Sequence, residues 1–168
     1  SQVKGLMALT LILPVYGRSE LLGPALESVL QLQDQGWQLL IADDGSDAQT
    51  QGFIQDWIDS QNHDSRLRWV RRAKNLGLFG NLNQAIEEST SEWVLLLCSD
   101  DLLLPNALRQ IQQLRESWPS AGLILSTYES INGDGSHRPA DSAWHHDQVS
   151  QETALVPPER FVPALLQL

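Results

Sequence analysis

Short apolar runs alternate with longer amphipathic stretches along most of the chain. Residues 9–13 (LTLIL) form a compact apolar run stopped by Pro14, the pattern of a buried strand. From Ser19 onward, Leu22, Leu26 and Leu30 recur every fourth residue, with Leu21, Ala25 and Val29 beside them. That spacing predicts a helix with a broad apolar stripe, whose first turn Gly23 and Pro24 make irregular. Residues 37–42 (WQLLIA) predict a second strand, closed by Asp43, Asp44, Gly45 and Ser46. Asp47 then stands where a helix N-cap belongs, ahead of a face made by Phe53, Ile54, Trp57 and Ile58.

Residues 67–70 (LRWV) predict a third, half-buried strand, and Leu82, Ala85 and Ile86 mark a helix starting near Gly80. Residues 93–98 predict the most apolar strand. Pro105 suits the first turn of the next helix, with Leu108, Ile111 and Leu114 facing the core. A fifth strand is predicted over residues 122–126 (GLILS). Alternation of this kind predicts an α/β fold, a mostly parallel sheet with helices on both faces. After Tyr128 the pattern fails: residues 132–153 are polar and aperiodic, the signature of a long loop or lid. Apolar character returns at Val156 and stops in mid-pattern, so the chain is expected to be truncated on its C-terminal side.

Composition narrows the function classes. The 168 residues suit one domain with a real core, and 42% apolar with 19% charged residues is a globular balance. No apolar stretch approaches a membrane span, so no transmembrane segment is expected. A formal net charge of -10 argues against nucleic acid, or an anionic membrane surface, as the main partner. It still admits a small phosphorylated ligand if a metal offsets the repulsion. The single cysteine, Cys98, excludes an intrachain disulfide, and the default expectation is the cytoplasm.

Ligands of open parallel sheets bind beyond the carboxyl ends of the strands. Three predicted strands end in chemistry-bearing residues: the first in Pro14, Val15, Tyr16 and Gly17, the second in Asp43 to Ser46, the fourth in Ser99, Asp100 and Asp101. Each is also an ordinary turn or helix-leading sequence when taken alone. Together, on one edge, they bring four carboxylates and an aromatic ring to a single cleft. Paired carboxylates repel unless a cation or proton sits between them. Mg2+ or Mn2+ would answer that repulsion, and a diphosphate is the natural remaining ligand.

The motifs in this order resemble family 2 glycosyltransferases of the GT-A, Rossmann-like nucleotide-sugar-binding fold. Pro14-Val15-Tyr16 matches the strand-one signature, Asp43-Asp44-Gly45-Ser46 the acidic turn after strand two, Asn75-Leu76-Gly77-Leu78 the N-x-G element, and Ser99-Asp100-Asp101 the DxD-type metal motif. The resemblance spans residues 9–125 and implies a role for each position. Tyr16, with Pro14 and Val15, would line the base pocket, and Asp43 would accept a hydrogen bond from the base, with Asp44 shaping the pocket. Asn75 and Gly77 would line the nucleotide side, and Asp100 would lie near the ribose or sugar-phosphate. Asp101 would be the direct ligand of a divalent metal, Mn2+ or Mg2+. Arg71, Arg72 and Lys74 would add positive potential near the diphosphate, or form a solvated basic patch.

The implied activity is metal-dependent, inverting transfer from a nucleoside-diphosphate sugar, most simply a UDP-sugar, to a saccharide, lipid or protein acceptor. The implied place is the cytoplasm, including the inner face of a membrane. The catalytic base is expected beyond Leu168, so the chain alone is expected to be inactive or weakly active. The expected organisation is an N-terminal extension or cloning scar over residues 1–8, a nucleotide-sugar-binding domain over 9–131, and a loop or lid with the start of an acceptor-side region over 132–168.

Three departures from the pattern qualify this. Gly17 replaces the usual Asn, Cys98 stands where an Asp often begins the acidic motif, and no residue matches the base. Cys98 is expected as a small buried filler. His63, His137, His145 and His146 do not match the base, and His145-His146-Asp147 is expected to be solvated rather than a metal site. A non-catalytic module that keeps the fold for binding or assembly is the alternative. A dinucleotide-binding oxidoreductase is disfavoured, because no G-x-G-x-x-G follows the first strand.

Overall fold

The computed structural model of the chain describes residues 9–126, 128–138, 152–157 and 159. Strand and helix alternate as the pattern predicts: β1 (Leu9–Val15), α1 (Ser19–Leu30), β2 (Trp37–Asp43), α2 (Ala48–Ser60), β3 (Leu67–Arg71), α3 (Leu78–Glu88), β4 (Trp93–Leu96) and α4 (Ala107–Ser117). The strands form one parallel sheet in the order β3-β2-β1-β4. From β1 the chain steps outward to β2 and β3, then crosses back to lay β4 on the other side of β1. The strand order therefore reverses between β1 and β4, which opens a crevice at their carboxyl ends. The register sets Val15 opposite Asp43 and Asp43 opposite Arg71, so three strand tips lie level.

The period of two along each strand divides the sheet's faces. On one face Leu11, Leu13, Leu39 and Ile41 pack with Leu22 and Leu26 of α1, Ile54 of α2 and Leu108 of α4. On the other, Ile12, Leu40 and Ala42 meet Leu82 and Ala85 of α3. Helices thus cover both faces. Each fully buried leucine contributes roughly 1.5–3 kcal/mol, so the first layer carries most of the stability.

Several expectations shift in detail. Pro14 does not stop β1, which continues to Val15. Ile12 O accepts from Leu97 N of the β4 side, while Val15 O accepts from Asp44 N of the β2 side. Backbone groups alternate in direction, so Pro14 turns its missing N–H toward β4, where the ladder has already ended at Leu96. For the same reason β4 is shorter than residues 93–98. Leu97 takes the core position (3% exposed), and Cys98, expected as a buried filler, points to solvent.

α3 begins at Leu78 rather than Gly80, with Gly77 as its N-cap at φ 76° and ψ 163°. Pro105 lies ahead of α4, in the turn closed by Ala107 N donating to Leu104 O. The fifth strand over residues 122–126 is absent among the described residues. The apolar run is present, but a strand exists only through a neighbour's ladder, and Leu123 and Leu125 stay exposed.

The chain divides into two compact units, residues 1–112 and 113–168. The second contains a tight turn in which Ile131 bridges His137 and Gly135 adopts φ 82°. No helix among the described residues is long and apolar enough to cross a membrane.

Candidate functional site

Asp43 is the last residue of β2, and its side chain is fully buried (0% exposed). One carboxylate oxygen, Oδ1, accepts from Ser46 N at 2.8 Å, closing the turn that Gly45 makes possible at φ 77°. The other, Oδ2, is buried with no donor in reach. A buried carboxylate oxygen left unpaired is costly and calls for an explanation.

The neighbouring turns are fastened to this one. Asp44 donates its N–H to Val15 O at 2.8 Å, and its Oδ1 accepts from Leu76 N at 2.8 Å. Ser46 Oγ accepts from Gly17 N at 3.1 Å, joining the β1 and β2 tips. Asn75 Oδ1 accepts from Gly77 N, an Asx turn that turns the chain into α3. A side chain at Gly45 would press on Lys74 and Asn75 at 3.2 Å, so the acidic turn and the N-x-G segment are in close backbone contact. Asp44 is therefore a structural tie between β2 and the segment before α3.

Tyr16 extends from the β1 tip and is 62% exposed, so its ring is free to stack. Pro14 and Val15 hold the backbone beneath it. Arg18, left-handed at φ 56°, reaches Asp100 at 3.6 Å across the β1/β4 crevice. The strain of a non-glycine residue at positive φ recurs at functional sites.

Cys98, Asp100 and Asp101 bring ligand atoms within 4.8 Å of one another. Asp101 is held above its ordinary carboxylate range, chiefly by partial desolvation and next by the Asp100 charge. The Cys98 thiol is also pushed up, by partial desolvation and then by Asp101 and Asp100. A divalent cation would relieve the carboxylate repulsion, and two carboxylates suit a hard ion better than the softer sulfur does. The loop is braced by Ser28 of α1, whose Oγ accepts from Leu103 N, and by Gln33 beyond the end of α1, whose N–H donates to Pro105 O.

The basic residues are divided in role. Arg72 does not offer a free charge: it forms a two-pronged ion pair with Glu88, and its side chain is 7% exposed. Arg71 lies over the Trp69 ring at 5.3 Å. His63 sits in a left-handed turn after α2, away from the strand tips, and His137 lies 3.9 Å from Glu129 in the other unit. His145, His146 and Asp147 lie outside the described residues. A shallow cleft of about 90 Å³ between Thr10, Gln38, Arg66, Arg68 and Ser89 is at the amino ends of the strands, where Thr10, Ser89 and Ser91 satisfy one another.

Two contributors were not singled out in the sequence. Arg18 carries no sequence signal. Asn81 does, because it is a polar residue four before Ala85 in the apolar stripe of α3, and it is buried.

A parallel α/β sheet with carboxylates, a glycine turn and an exposed aromatic ring at its switch point is the class that takes phosphorylated ligands at its carboxyl edge. Within that class the chain belongs to glycosyl transferase family 2, whose family model matches residues 10–161. It is 28% identical over 106 residues to a GalNAc(5)-diNAcBac-PP-undecaprenol beta-1,3-glucosyltransferase of Campylobacter jejuni, covering 62% of this chain and 33% of that protein. Over 126 residues it is 25% identical to the UDP-Glc:alpha-D-GlcNAc-diphosphoundecaprenol beta-1,3-glucosyltransferase WfgD of Escherichia coli, covering 74% and 47%.

Among solved structures, the S. aureus TarS 1-349 complex with UDP-GlcNAc superposes with a TM-score of 0.60 at 18% identity, covering 74% of this chain and 40% of that one. The mannosyltransferase PcManGT of Pyrobaculum calidifontis, in complex with GDP-Man and Mn2+, gives 0.58 at 18% identity, covering 71% and 34%. These two likenesses establish the fold. The chain spans about a third to a half of the length of the curated relatives named here.

Proposed function

We propose that this chain is the donor-binding part of an inverting, divalent-metal-dependent glycosyltransferase that uses a UDP-sugar. The observation that carries the reading is the buried, unpaired Asp43 Oδ2 at the sheet's switch edge. The imide N–H of a uracil is a donor of the right kind for it. The exposed Tyr16 ring supplies a stacking surface for the same base. Asn75 and Gly77 line the nucleotide side, where the absence of a side chain on Gly77 leaves open space. Asp44 shapes the pocket indirectly, by holding Leu76 N.

Asp101 would hold the metal, with Asp100 beside it toward the ribose or sugar-phosphate. When bound, Mn2+ or Mg2+ supplies Lewis-acid stabilisation of the departing diphosphate. The chain's own residues bind and orient: Tyr16 and Asp43 fix the base, and the Asp101 loop fixes the diphosphate end. An acceptor hydroxyl, deprotonated by an acceptor-side carboxylate, then attacks the anomeric carbon opposite the leaving group. The new glycosidic C–O bond forms as the C–O bond to phosphate breaks, with inversion. The acceptor is a saccharide, lipid or protein hydroxyl, met in the cytoplasm or at the inner face of a membrane.

Calorimetric titration with UDP in the presence and absence of Mn2+ tests the reading. Metal-dependent heat in the wild type, lost in Asp101→Ala, is expected, with little or no sugar transfer by the 168-residue chain alone. No heat with any nucleoside diphosphate, or binding unchanged in Asp101→Ala, would sink it.

A further inference from the structure

A polar network anchored on the buried Asn81 stands directly behind Asp43. Asn81 Nδ2 donates to Ala42 O at 2.7 Å, and Asn81 Oδ1 accepts from Arg72 Nε at 3.0 Å. Arg72 Nη1 and Nη2 grip the two carboxylate oxygens of Glu88 at 2.7 and 3.0 Å. Arg72 closes the circuit through its backbone, whose N–H donates to Asp43 O at 2.8 Å. The peptide group before Asp43 is thus held by Asn81 and the one after it by Arg72.

Those two peptide groups set the φ and ψ of Asp43, and its Oδ1 is already tied to Ser46 N. The direction of the free oxygen, Oδ2, therefore follows from the network. Stability alone accounts poorly for such an arrangement. The ion pair is only partly buried, with the Glu88 side chain 30% exposed, and such pairs contribute little net stability. Apolar side chains in the layer of Ile12, Leu40 and Ala85 would cover the sheet as well. What they could not do is donate to Ala42 O, the one bond to these two peptide groups that comes from a side chain.

We propose that Asn81, Arg72 and Glu88 are positioning residues for base recognition, orienting Asp43 toward the nucleobase without touching the nucleotide. The inference rests on the reading of Asp43 as the base-recognising group. It adds that the specificity of this site depends on a cluster lodged between the sheet and α3. The diphosphate end, at the loop of Asp100 and Asp101, is outside the network's reach.

That separation makes the proposal testable. The chain is titrated with UDP and with inorganic pyrophosphate, each with Mn2+, as wild type, Asn81→Ala and Glu88→Gln. Asn81→Ala is expected to weaken UDP binding about tenfold or more while leaving pyrophosphate binding unchanged. Glu88→Gln keeps one acceptor for Arg72, so it is expected to lose about threefold on UDP alone and to serve where Asn81→Ala folds poorly. A parallel loss for both ligands would mean only a lower folded fraction and would overturn the proposal, as would no loss for either. A wild type that binds UDP no better than pyrophosphate would instead overturn the base-recognising role of Asp43, and this inference with it.

Discussion

The Asp44 carboxylate accepts a hydrogen bond from the backbone N–H of Leu76 at 2.8 Å, across 32 residues of sequence. This one contact fastens the turn after β2 to the segment that leads into α3. Both partners belong to motifs that look like independent turns in the sequence. Asp44→Ala leaves Leu76 N–H without this acceptor and is expected to cost roughly 1–3 kcal/mol of folding stability. Asp44→Asn keeps an acceptor oxygen and should recover most of that loss. Urea midpoints of the two variants against the wild type check it.

Asp101 predicts a conflict between stability and binding. Its pKa is raised in the folded chain, by partial desolvation first and Asp100 second, so ionising it opposes folding. In metal-free buffer near neutral pH, Asp101→Asn should therefore raise the Tm, while Mn2+-dependent UDP binding is lost. Thermal melts without Mn2+, paired with calorimetry in its presence, measure the two effects. A lowered Tm in that variant would contradict the electrostatic account.

Glu88 has the opposite sign. The hydrogen bonds from Arg72, and after them the Arg72 and Arg68 charges, hold its pKa below the ordinary 4.5. A depressed carboxyl contributes stability that is present above its unfolded value and is lost as pH falls through its folded value. The urea midpoint should thus drop more steeply below about pH 4.5 in the wild type than in Glu88→Gln. Asp64 and Asp134 are lowered as well, by hydrogen bonds from Arg66 and Ser136, and they titrate equally in both proteins. The difference between the two curves isolates Glu88.

Tyr16 should matter to the ligand and hardly at all to the fold. Its ring is largely exposed. Tyr16→Ala is expected to shift the urea midpoint little, by about 0.5 kcal/mol or less. Loss of base stacking should weaken UDP binding by about 1–3 kcal/mol. Pyrophosphate binding should be untouched. Calorimetry with both ligands separates the outcomes.

Much of this protein was legible in the residue pattern because strands and helices bury different periods. The compact apolar run of residues 9–13, and the four-residue spacing of Leu22, Leu26 and Leu30, are local signals. They name the elements, and the acidic turns between them name the candidate edge. The N-cap was equally plain: Asp47 accepts from Thr50 N as its position predicts. Where the pattern misled, a long-range partner decided. Residues 122–126 hold a short apolar run like a strand's but carry no ladder among the described residues, and Pro14 stays within β1 because its missing N–H faces a ladder that has ended.

By itself, then, the sequence determined the α/β class, the order of elements and the residue types at the strand tips, all of which depend on short-range periodicity and turn chemistry. Tertiary structure alone decided what each acidic residue is bonded to. Asp43 and Asp44 are adjacent and chemically identical, yet one keeps a buried oxygen unpaired while the other is spent on Leu76 N. Leu97 is buried while Cys98, expected beside it as a buried filler, is exposed, because the period of two sends neighbours to opposite sides. Arg72, which reads as a free cation, is committed to Glu88 and Asn81 from α3. Burial and hydrogen-bond partners are set by groups distant in sequence, and no local pattern encodes them.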